Sequence, residues 1–68
     1  MDAEERGKFE RWGRETFDAG KMGVPAGDAR IEESGLYSRS HEDIMAGLGA
    51  WIRGWDKANL NTMIEYAG

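Results

Sequence analysis

Glycines stand beside the largest rings of this chain at helical spacing, in Trp51-Ile52-Arg53-Gly54-Trp55-Asp56-Lys57-Ala58 and in Phe17-Asp18-Ala19-Gly20-Lys21-Met22-Gly23. Glycine inside a helix costs roughly 1 kcal/mol against alanine, so several of them at face-matched positions require a tertiary reason. The simplest is close approach, an indole of one helix lying on bare backbone of another. The pattern therefore predicts two helices pressed together, with Phe9, Phe17, Gly20, Gly23, Leu48, Gly54 and Ala58 as the packing positions.

The periodicity fills in the rest. From about Ala3 to Met22, Phe9, Trp12, Thr16 and Gly20 share one helical face, with Gly13 and Phe17 beside it. The opposite face offers Glu4 with Lys8, Glu10 with Arg14 and Arg11 with Glu15, each one turn apart and worth a few tenths of a kcal/mol. Gly23 and Pro25 end this helix near Met22. Proline at 25 and glycine at 35 bracket a short second helix, which needs Val24, Ile31 and Leu36 docked on the main pair to persist. Ser40-His41-Glu42-Asp43 reads as the start of the strongest helix, Ser40 capping and Asp43 in the reciprocal position. Its stripe is Ile44, Leu48, Trp51, Trp55 and Ala58, widened by Met45 and Ile52. It either runs on through Leu60, Met63, Ile64 and Tyr66 or breaks at Asn59-Leu60-Asn61. The expected fold is all-α: one domain over residues 1–68, a helical hairpin of two antiparallel main helices with a short helix or structured loop between them.

Composition narrows the function. A chain of 68 residues with no cysteine has neither a disulfide nor a thiolate zinc site to staple it, and its core supplies about 3–5 kcal/mol. It folds alone or as a small oligomer, a homodimer included. The lone His41 cannot hold a metal. Thirteen acids against nine bases give a net charge of −4, which opposes loose charge-driven binding to nucleic acid. The acidic Met1-Asp2-Ala3-Glu4-Glu5 stands where a secretory signal carries positive charge, and no stretch approaches the roughly 18 apolar residues of a membrane span, so the chain reads as cytoplasmic.

Ser40, His41, Glu42 and Asp43 form the one cluster with the residue types of a nucleophilic site, but consecutive residues on a helix do not face one another, and the cap explains them. No glycine-rich element follows a strand or carries the lysine and serine or threonine of a phosphate loop. Glu4-Glu5 and Glu32-Glu33 read as solvated faces. The expectation is a non-enzymatic chain with no cofactor and no metal.

Three tryptophans, two phenylalanines and two tyrosines exceed what a two-helix core encloses; Trp51 and Trp55, one turn apart, are expected in the core, and Trp12, Tyr37 and Tyr66 partly outside it. Rings beside arginines anchor protein partners or stack on bases. The candidate partner-binding residues are therefore Arg11, Trp12, Arg14, Tyr37, Trp51, Arg53 and Trp55.

Phe17-x-x-Gly20-x-x-Gly23, then Tyr37, then Trp51-x-x-Gly54-Trp55-x-x-Ala58 resembles the pattern of ribosome modulation factor and the related small proteins of the CrpP type. The resemblance spans roughly residues 13–58. It implies a compact helical pair that docks on the ribosome and contributes to pairing inactive particles in slow growth. For the CrpP branch it implies a link to fluoroquinolone resistance. The leading expectation is a regulator docking on a ribosomal or other macromolecular partner. The alternative, from small size and negative charge, is an acidic inhibitor of a host protein complex of the kind phages and mobile elements carry, such as an anti-defence or anti-CRISPR protein.

Overall fold

A computed structural model describes residues 1–67 of the chain, with side chains as far as Ile64. The described residues are all-α: α1 (Ala3–Asp18), a 3-10 turn at Pro25–Gly27, α2 (Ala29–Glu33), a second 3-10 turn at Leu36–Ser38, and α3 (His41–Ala67). No helix among the described residues is long and apolar enough to cross a membrane.

Each boundary has a local cause. α1 starts where the Asp2 carboxylate accepts from the Glu5 N–H at 2.8 Å, with Glu4 and Glu5 at the positive end of the dipole. It stops at Asp18, one turn earlier than the spacing predicts, because Gly20 turns left-handed at φ 76°. There the Lys21 N–H reaches the Thr16 carbonyl at 3.1 Å and the Gly20 N–H the Phe17 carbonyl at 2.9 Å, the Schellman closure. Gly20 is thus a helix stop and not a packing position, since a Cβ there would meet nothing within 4 Å.

Pro25 opens a 3-10 turn instead of the short helix. The true cap of α2 is Asp28, whose carboxylate takes the Arg30 N–H at 3.0 Å. Ile31 and Leu36 are buried as expected, but Val24 is half exposed. Ser40 caps α3 by accepting the Asp43 N–H at 3.2 Å. The reciprocal half of that cap does not form, because the Asp43 carboxylate binds Arg39 and the Met1 amino group instead. α3 continues unbroken across Asn59-Leu60-Asn61, while the side chain of Tyr66 lies outside the described residues.

The two long helices run in the same sense, not antiparallel. Contacts rise together along both: Met1 with Asp43 and Gly47, Glu10 with Gly54, Phe17 with Trp55. The connection descends between them, placing Gly23 at Trp55, Asp28 at Trp51, Leu36 at Gly47 and Arg39 beside Glu5. A tight helical hairpin closes over about 2–5 residues. Here 22 residues separate Asp18 from His41, enough to carry the chain back to its starting level.

The core is Phe9, Ile31, Leu36, Ala50 and Trp51, ringed by Met1, Trp12, Ile44, Leu48 and Trp55. At the crossing the glycines receive backbone and not indole. A Cβ on Gly13 would lie 1.9 Å from the Trp51 carbonyl oxygen, and one on Gly54 would lie 1.9 Å from that of Glu10. Gly23, outside any helix, is the one that lies under a ring, that of Trp55. Met45 and Ile52, expected to widen the core stripe, face outward at 56% and 42% exposure.

Candidate functional site

Because α1 and α3 cross at Gly13 and Gly54 and then separate, a groove of about 770 Å³ opens between them. Glu10 and Gly54 form its floor, where the backbones touch. Its rim carries Lys8, Arg11 and Arg14 from α1 and Lys57 from α3, with Glu4 and Glu5 at one end. Lys57 bonds Glu10 across the groove at 3.0 Å. Arg11 and Arg14 are exposed and have no ion-pair partner among the described residues. The expected pairs of Glu10 with Arg14 and Arg11 with Glu15 are replaced by longer-range ones, since Glu15 turns to Arg30 at 2.7 Å. Lys8 leans over Phe9 and Trp12 rather than toward Glu4.

On the other side of α1, one carboxylate organises the connection. Asp28 accepts from the Trp51 indole N–H at 3.0 Å and from the Arg30 guanidinium at 3.0 Å. Arg30 also donates to the Trp12 carbonyl at 3.1 Å and lies 5.2 Å from the Trp12 ring centre. Burial works to raise the Asp28 pKa, but the bonds from Arg30 and Trp51 overcome it and hold the carboxyl below the ordinary aspartate range. Asp43 is lowered too, chiefly by the Met1 amino group and then by Arg39. Both are fixed anions near neutral pH and not proton donors. Among the described residues no three His, Cys, Asp or Glu side chains gather as a metal site.

The candidate partner-binding residues divide among separate places. Trp51 is fully buried with its indole N–H satisfied by Asp28, so it is a core residue and not a contact for a partner. Trp55 is half-buried against Phe17, ring centres 5.2 Å apart at 84°, and donates to the Lys21 carbonyl at 3.1 Å. Trp12 is half-buried edge-on to Phe9. Tyr37, on the second 3-10 turn, is 44% exposed. Arg53 faces out from α3, its guanidinium 3.6 Å from where a Gly49 Cβ would stand. Of these residues, Arg11 and Arg14 line the α1–α3 groove together.

Sequence reasoning did not single out Lys8 and Lys57 as groove residues, and periodicity alone holds no signal for which bases converge across two helices. No protein-family model, no curated protein and no solved structure matches this chain.

Proposed function

We propose that the chain is a non-enzymatic cytoplasmic binding module that regulates a large ribonucleoprotein partner, the ribosome first among candidates, through the basic rim of the α1–α3 groove. The supporting observation is the gathering of Lys8, Arg11, Arg14 and Lys57 around one groove also lined by Glu4, Glu5 and Glu10, which leaves the lining one charge positive in a chain whose net charge is −4. A local cluster of this kind meets phosphate at one place while the remaining surface repels it, giving docking in a single orientation instead of loose coating. The sequence resemblance to ribosome modulation factor points the same way, although its aromatic contacts, Trp51 above all, are spent on the core.

The test is co-sedimentation with ribosomal particles at low ionic strength, where screening is weakest. The intact chain should pellet with particles, and the Arg11→Glu, Arg14→Glu double variant should stay in the supernatant. An intact chain left in the supernatant at low salt overturns the proposal. A second reading, inhibition of a basic host protein complex, draws on the exposed Asp18, Glu32 and Glu33, which have no ion-pair partner among the described residues. A pulldown yielding one host protein complex and no ribosomal proteins would select it.

A further inference from the structure

α3 carries apolar side chains on two sides. The inward side is covered by α1 and the connection; the outward side is uncovered, with Met45, Ile52, Leu60, Met63 and Ile64 between 42% and 60% exposed. At about 100° per residue these fall on one strip with Gly49, Arg53 and Asp56, opposite Gly47, Ala50 and Gly54. Neither Arg53 nor Asp56 has an ion-pair partner among the described residues. Between Met45 and Ile64 the strip holds one base and one acid, so this stretch is locally neutral in an acidic molecule, and Glu42 extends the same face toward the start of α3.

We infer that this strip is the interface of a homodimer, α3 packing antiparallel on α3 of a second copy about a two-fold axis at the level of Gly54 and Trp55. The order of residues argues for a second copy over any other occupant, because it is self-complementary about that level. Setting Arg53 opposite Asp56 of the second copy makes the same pair again on the other side of the axis. Residues equally far from the axis then meet. Gly49, the smallest residue of the strip, stands across from Leu60 of the second copy, and Met45 across from Ile64. Three pairs thus match in one register, Arg53 with Asp56, Gly49 with Leu60 and Met45 with Ile64, as an isologous two-fold contact requires, while Ile52 and Met63 stand level with Lys57 and Ala46 of the second copy. At 1.5 Å per residue the strip from Met45 to Ile64 gives a seam of about 30 Å.

Sedimentation equilibrium of the full chain at about 100 µM, above the micromolar constants of weak interfaces, should give twice the 7.6 kDa chain mass and fall toward one chain on dilution. Arg53→Asp alone and Asp56→Arg alone each set like charges opposite one another and should raise the dissociation constant more than about tenfold. The double exchange restores the pair and should restore the dimer, with helicity by circular dichroism unchanged throughout. A chain that stays monomeric at this concentration overturns the inference and leaves the strip to a different partner. A dimer indifferent to the single reversals, or not rescued by the double exchange, overturns it as well.

Discussion

Gly13 and Gly54 carry the tightest constraint in the molecule, because each stands against the carbonyl oxygen of the opposite helix at a distance no Cβ tolerates. Gly54→Leu should therefore cost at least about 1–3 kcal/mol through overpacking, read as a lowered urea midpoint. Gly7 is the internal control: exposed on α1, with nothing within 4 Å of its missing Cβ, so Gly7→Ala should stabilise by about 0.5–1 kcal/mol. Equal effects at the two positions would mean that helix propensity and not contact governs Gly54. A second residue-scale prediction concerns Asp28. Its folded pKa lies below the unfolded value, so it contributes stability that is complete above the unfolded pKa near 3.9 and is lost as pH falls through the folded one. The melting temperature should drop between about pH 5 and 2, and Asp28→Asn should flatten that drop.

Among the elements, what was legible in the sequence was whatever lies within a few residues. The Ser40 cap, the apolar stripe of α3 and the burial of Ile31 and Leu36 follow from spacing that a helix fixes by itself. Spacing alone carries α1 on to Met22 with Gly20 as a packing notch, whereas the left-handed backbone of Gly20 makes it the stop. Likewise Asp28 gave no local sign that it would bind an indole 23 positions away, so the device holding the connection was invisible. The groove was equally hidden, since Arg11 and Arg14 meet Lys57 only after two helices cross. These ranges set an expectation for the caps. Ser40→Ala removes one bond at an exposed helix start and should cost about 1 kcal/mol. Asp28→Ala removes the start of α2 and the anchors of Trp51 and Arg30 together, so thermal unfolding should show the larger loss.

At the scale of the whole molecule, the shared direction of α1 and α3 is the feature that spacing cannot encode, because one stripe of apolar residues serves either sense. It is the 22-residue return through α2 that decides it. Among the described residues the same arrangement leaves the outer side of α3 without a neighbour and places the α1–α3 groove on a different side. It also sets the route by which order arises. A hairpin zips from its turn, each step bringing near neighbours together, but here the paired positions stand 42 residues apart at Met1 and Asp43 and 47 apart at Glu10 and Lys57. The loop-closure entropy of 42 to 47 residues must be met before either of these contacts gives anything back. The connection supplies the nearer contacts, Glu15 with Arg30 across 15 residues and Asp28 with Trp51 across 23, so by loop-closure cost the direct α1–α3 pairs are the last to repay their ordering.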